Sequence, residues 1–134
     1  MIKNLADYSS RLSISQLCVI LERSGINIRR TTVSHYVKLG ILPPPEGYHY
    51  SHEHVALLCI IATLKDVYSL DEVAKLLKAI DRPIEALNIL EALNILETAT
   101  PSPNQDGVYK ILALMAHSCA IKREALSRLE MYSC

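Results

Sequence analysis

The sequence predicts an all-α fold interrupted by one small two-stranded hairpin, and three observations lead there. Half of the 134 residues are apolar, yet Phe and Trp are absent. Leu, Ile, Val and Ala must therefore fill the core with Tyr at its margins, a mixture that favours helices over strands. Ser13 and Ser69 each stand three residues before a Gln or Glu, Gln16 and Glu72, the spacing at which a hydroxyl and a side-chain carbonyl satisfy each other's backbone N–H groups at a helix start. Behind both starts, apolar residues recur at i, i+3, i+4 and i+7, the mark of one buried helical face.

The first helix starts at Ser13, and Ile14, Leu17, Cys18 and Leu21 form its apolar face. Gly25 stops it, because glycine enters the left-handed conformation at little cost. The second helix begins between Asn27 and Thr31 and ends at Gly40. Val33, Tyr36 and Val37 point inward, while Thr31, Ser34, His35 and Lys38 share the opposite side. Ile41-Leu42 and Tyr48-His49-Tyr50 then flank three prolines and a Glu-Gly, which read as two short strands around a rigid turn, a small wing. Ser51 caps a third helix over 52 to about 66, whose apolar run implies burial on nearly all sides. Ser69 opens a fourth, with Val73, Leu76, Leu77 and Ile80 as its stripe.

Pro83 suits the first position of a further helix. That helix contains a duplication, Glu85 to Leu90 repeated as Glu91 to Leu96. A six-residue period turns successive copies by roughly 120° on a helix, so its leucines at 87, 90, 93 and 96 wind round it and need neighbours on more than one side. Residues 98 to 107 read as a loop. A last helix from about Val108 to Met131 places Ile111, Leu112, Met115, Cys119, Leu126 and Leu129 on a broad apolar side. The organisation predicted is a first domain over 1–80 and a C-terminal helical segment over 81–134 that serves dimerisation.

The chain is long enough for one core and too short for two full-sized domains. Its 14 basic and 14 acidic residues cancel, which excludes a nonspecific basic nucleic-acid coat. Charge is nonetheless uneven: from Arg23 to Pro45 there are four bases, Arg23, Arg29, Arg30 and Lys38, and no acid. The four cysteines stand singly and no signal-peptide pattern opens the chain, which points to a reduced cytosolic compartment. The longest apolar stretch, Val55 to Ala62, has eight residues, far short of a membrane span.

A helix face of short polar and basic side chains suits a DNA major groove, where hydroxyl, imidazole and ammonium groups meet base edges and phosphates. The candidate contacts are Thr31, Ser34, His35 and Lys38 on that face. Arg29 and Arg30 would meet phosphates at the helix start, and Tyr48 and His49 would touch backbone from the wing. The alternative reading of the same residues is an ordinary solvated helix carrying a few bases. His49, His52 and His54 are close in sequence, but a metal site needs imidazoles converging on one ion, and His52 and His54 diverge at a helix start. Solvent-exposed or capping roles are expected instead, and no metal or cofactor. Cys18, Cys59 and Cys119 read as small buried hydrophobes. With no phosphate-cradling loop, zincin helix or nucleophile elbow, no enzymatic reading follows.

The ordered set of a helix, Gly25, a second helix with Thr32-Val33 and Tyr36, Lys38-Leu39-Gly40-Ile41-Leu42, Tyr48-His49-Tyr50-Ser51 and Tyr68 to Val73 resembles the N-terminal winged helix-turn-helix domain of MerR-type transcription regulators. The likeness covers roughly residues 13 to 80. The block from Tyr36 to Pro45 is also similar to one in an uncharacterised bacterial family of short MerR-like proteins, a domain of unknown function, and there the likeness covers most of the chain. The resemblance implies a MerR-like winged domain, a homodimer, and binding of double-stranded DNA through the second helix and wing. Two departures stand out. Ser34 and His49 occupy positions where MerR-type proteins usually carry arginines that clamp phosphates, and losing them removes part of the salt-dependent affinity. The competing expectation is a protein-protein interaction module on the same scaffold that has lost DNA binding. The C-terminal helices are too short for a large effector domain and would enclose at most a small apolar pocket.

Overall fold

Side-chain capping boxes open three of the helices, at Ser13, Ser51 and Ser69, and a glycine closes two, at Gly25 and Gly40. The computed structural model describes residues 9–88 and 107–131. Helix α1 spans Ile14–Arg23. Its capping box is formed, Gln16 N–H donating to Ser13 Oγ at 3.1 Å and Ser13 N–H to Gln16 Oε1 at 2.8 Å. At its far end Gly25 takes φ +84°. There the Ile26 N–H reaches the Leu21 carbonyl at 2.9 Å and the Gly25 N–H reaches Glu22 at 3.0 Å, the paired bonds of a Schellman motif. Helix α2, Arg30–Lys38, ends the same way. Gly40 has φ +77°, and the Ile41 and Gly40 N–H groups return to Tyr36 and Val37 at 3.0 and 3.1 Å.

Helix α3 spans His52–Leu64, and every residue from His54 to Ile61 is buried, as the unbroken apolar run predicts. Helix α4 spans Leu70–Ala79 and buries Val73, Leu76 and Leu77. Its box is also complete, Ser69 N–H donating to Glu72 Oε1 at 2.8 Å and Glu72 N–H to Ser69 Oγ at 3.2 Å. Residues 83–88 form the helical segment α5, with Pro83 as its first helical residue. Helix α6 spans Gly107–Glu130. The second copy of the duplication, with Leu90, Leu93 and Leu96, and most of the expected loop lie outside the described residues.

One core cluster joins Leu17, Ile20 and Leu21 of α1, Val33 of α2, most of α3, the α4 stripe, Ala86 and Leu87 of α5, and Leu112, Ala116 and Cys119 of α6. Tyr109 of α6 donates a hydrogen bond to Asp81 Oδ1 at 2.6 Å, and the Arg82 guanidinium lies 5.3 Å from the Tyr109 ring centre. Lys122 Nζ donates to the Asp66 carbonyl at 3.2 Å. Cys59 and Cys119 are buried as expected, while Cys18 is only half-buried. Burial pushes the Cys18 and Cys119 thiols up from their ordinary range, which keeps them protonated and poorly nucleophilic.

The expected two-stranded wing needs correction. No strand forms among the described residues: Ile41-Leu42 does not pair with Tyr48-His49-Tyr50. Instead Glu46 and His49 exchange backbone bonds of 3.0 and 3.1 Å across Gly47-Tyr48, and Tyr50 pairs with Leu12 at 2.7 and 2.8 Å. Pro43, Pro44 and Pro45 have no N–H to give a ladder, so pairing shrinks to a tight turn at Gly47, φ +64°, where two-residue hairpin loops need positive φ. The apolar side of α6 divides into a covered and an uncovered part. Leu112 and Cys119 are buried and Met115 half-buried, but Ile111, Leu126 and Leu129 are 52%, 49% and 61% exposed. All of residues 121–130 are exposed, because among the described residues a helix of 24 residues runs on past the elements that cover its first half.

The caps set a pH dependence. The hydrogen bond from the Ser69 N–H, helped by the Ser69 hydroxyl, holds the Glu72 carboxyl below its ordinary value of 4.5. A depressed folded pKa contributes stability that is present above the unfolded value and lost as pH falls through the folded one. We therefore expect a denaturant midpoint that drops as pH falls below about 4.5. Glu72→Gln, which keeps the cap but does not titrate, should flatten that limb. An identical acid limb in the variant would refute the assignment.

Candidate nucleic-acid interface

The geometry of α2 follows from a single buried residue. Val33 is fully buried and is the only residue of the helix that is. Tyr36 and Val37 are half-buried on the same side. That anchor turns Thr31, Ser34, His35 and Lys38 outward, and all four are exposed. Arg29 is the residue before the helix and Arg30 its first; both are exposed. The sequence thus divides the two faces of α2 as the structure does.

Arg30 is held rather than free-swinging. Its guanidinium donates a hydrogen bond to Ser15 Oγ on α1, which ties the start of α2 to the start of α1. Arg29, Thr31, Ser34 and Lys38 have no side-chain hydrogen bond or ion pair among the described residues, so their polar atoms face water. The His35 and Tyr36 rings lie 6.5 Å apart at a tilt. Tyr48 is 91% exposed at the tip of the 46–49 turn, with His49 exposed beside it. No hydrogen bond or ring contact among the described residues links Tyr48 or His49 to α2, so the structure assembles the six α2 positions and leaves the two turn positions as a separate projection.

The three neighbouring histidines go to three places. His49 lies in the exposed turn. His52 Nε2 meets the Ser9 carbonyl oxygen at 3.1 Å. His54 is buried at 5% exposure. Its Nδ1 accepts the Ser51 N–H at 3.1 Å and lies 3.0 Å from Ser51 Oγ, while Nε2 is 2.8 Å from the Pro43 carbonyl oxygen. A ring nitrogen that accepts an N–H carries no proton, so Nε2–H donates to Pro43. The Tyr50 ring meets His54 edge-on at 5.1 Å. His54 therefore takes the place that Gln16 and Glu72 hold in the other boxes, and it also holds the proline loop against α3. The Ser51–His54 spacing carried that signal, because capping boxes are read three residues apart.

Sequence reading did not find a cavity of about 180 Å³ lined by Ile26, Asn27, Ile28 and Arg29 of the α1–α2 turn, Thr32 and Tyr36 of α2, and Leu58, Ile61, Ala62 and Lys65 at the end of α3. Nothing local signals it, since its walls come from segments some 30 residues apart. Among the described residues no group of three or more His, Cys, Asp or Glu side chains is placed to hold a metal ion. No described helix is long and apolar enough to cross a membrane.

Neither the curated proteins nor the solved structures contain a match to this sequence. One protein-family description does match, over residues 11–98, a span that takes in α1 to α4, the proline loop and α5. The chain belongs to the family described as Domain of unknown function (DUF1836).

Proposed function

We propose that this chain is a DNA-binding transcription regulator with a MerR-like winged helix-turn-helix arrangement, acting as a homodimer on double-stranded DNA. The observation that carries the reading is the exposed face of α2. Thr31, Ser34, His35 and Lys38 lie together on it with Arg29 and Arg30 at its start, in a stretch without one acid from Arg23 to Pro45. Helix N-terminal residues of this kind meet base edges, and arginines beside them meet phosphates. Arg30, positioned by Ser15, stands at a fixed place for one such phosphate. Tyr48 and His49, on the projecting turn, serve as the wing in reduced form.

Dimerisation is assigned to the C-terminal helices, with 1–80 as the DNA-binding part. It is supported by α6, whose buried face carries Leu112, Ala113, Ala116 and Cys119, while Ile111, Leu114, Ile121 and Leu129 are half or more exposed on other sides. A sedimentation mass near twice the 15.0 kDa of one chain is expected at micromolar concentration. A mass of one chain would remove the dimer.

The test of DNA binding is fluorescence anisotropy with random-sequence duplex at two salt concentrations. Arg30→Ala and Lys38→Ala should each weaken binding across sequences and lower the salt slope by about 0.9 for each phosphate that is no longer neutralised. Absence of binding even at low salt, with neither variant differing from the parent, would sink the reading. The second reading, a protein-protein interaction module, is favoured by the neutral total charge and by the exposed apolar residues of α6. Duplex binding with a salt slope excludes it as the sole function.

A further inference from the structure

We infer that the cavity between the α1–α2 turn and the end of α3 is a binding site for a small apolar monocarboxylate, the size of benzoate or hexanoate. The inference goes beyond the DNA reading and is tested without DNA. The cavity measures about 180 Å³; for scale, an apolar protein cavity of about 150 Å³ accommodates benzene. Its floor is aliphatic: Leu58 and Ile61 are each 1% exposed, and Ile26, Ile28 and Tyr36 are half-buried members of the surrounding wall. A floor of that kind rewards a hydrocarbon body.

The rim supplies the opposite chemistry. Arg29 and Lys65 both line the cavity, and no carboxylate does. Among the described residues neither side chain has an ion pair or a hydrogen bond, so both charges are available to a ligand anion. Arg29 presents a planar fork that fits a carboxylate in bidentate fashion, and Lys65 adds a point charge. Asn27 and Thr32 offer further polar groups on the same wall. The first turn of α2, which opens at Arg29, has no side-chain cap, and its positive end adds to the field at the rim. An inorganic phosphate or a DNA backbone would use the two cations but gain nothing from the aliphatic floor. A neutral apolar molecule would use the floor and leave the cations idle. A compact monocarboxylate uses both.

The position also gives the site a consequence. Arg29 belongs to the candidate phosphate-binding residues, and Thr32 and Tyr36 lie on α2 itself. A carboxylate held by Arg29 competes with DNA phosphate for the same guanidinium.

The test is titration of the full chain with sodium benzoate, with hexanoate and benzamide in parallel, followed by backbone amide shifts in two-dimensional NMR. Saturable shifts are expected for both carboxylates at residues 26–32 and 61–65. Benzamide, the neutral match, should bind at least about tenfold more weakly, because it cannot form the charge-assisted hydrogen bonds. Lys65→Gln, at an exposed position, should weaken benzoate by a similar factor. Ala62→Phe, which fills the cavity, should abolish binding. Should Ala62→Phe fail to fold, the Lys65→Gln and benzamide arms still decide. Non-saturating shifts, equal response to benzamide, or no effect of Lys65→Gln overturns the site. Saturable binding in a chain that ignores duplex DNA leaves the cavity standing and removes the DNA reading; duplex binding without benzoate binding does the reverse.

Discussion

Leu64→Ala should cost about 2–5 kcal/mol of folding stability, the range for a fully buried leucine whose surroundings collapse only partly into the space left. Leu64 is fully buried at the end of α3, the helix that touches α1, α4 and α6 alike. A domain of this size has about 5–15 kcal/mol in total, so the variant should lie near the edge of folding. Its denaturant midpoint should fall with little change in slope. By contrast, Ser34→Ala at an exposed position of α2 should stay within about 0.5 kcal/mol of the parent. A Leu64→Ala midpoint equal to that of Ser34→Ala would show that α3 is not the central packing element.

His54→Ala should be the most damaging polar substitution. It removes two part-buried hydrogen bonds, from the Ser51 N–H and to the Pro43 carbonyl, each contributing about 0.5–1.5 kcal/mol, and it removes the edge-on ring beneath Tyr50. His54→Phe keeps the ring and loses both bonds, so it separates shape from hydrogen bonding. His54→Gln restores the capping bond in the manner of Gln16 and should recover part of the stability. Thermal melts of the three variants should order Gln above Phe and Ala. A Phe variant as stable as Gln would mean that the bonds contribute nothing net. Because His54 is the link between the 43–50 loop and α3, the Ala variant should also loosen the projecting Tyr48-His49 turn, which faster amide exchange at residues 46–50 would report.

Local features were legible because their causes are local. Capping boxes lie three residues apart, Schellman ends need one glycine, and the two faces of α2 follow from 3.6 residues per turn; residues 13, 16, 25, 40, 69 and 72 behave as read. The unbroken apolar run of α3 announced its burial. The wing was misread because strand pairing is a matter of what else is near: Tyr50 finds Leu12, 38 positions away, rather than Ile41 or Leu42. For α6, periodicity shows that the helix has apolar positions but not which of them another described element reaches. Leu112 and Cys119 meet the core; Ile111, Leu126 and Leu129 do not.

Among the described residues, the capping boxes, the two glycine ends and the exposed basic face of α2 are thus properties of the sequence by itself, since backbone hydrogen bonding and side-chain period act within a few residues. Only the tertiary structure decided that the proline loop is held by His54, that Arg30 is tied to Ser15, and that Arg29 and Lys65 line one cavity over an aliphatic floor. Those features join residues between 11 and 36 positions apart, and such long-range neighbours depend on how whole helices pack, which no local pattern records.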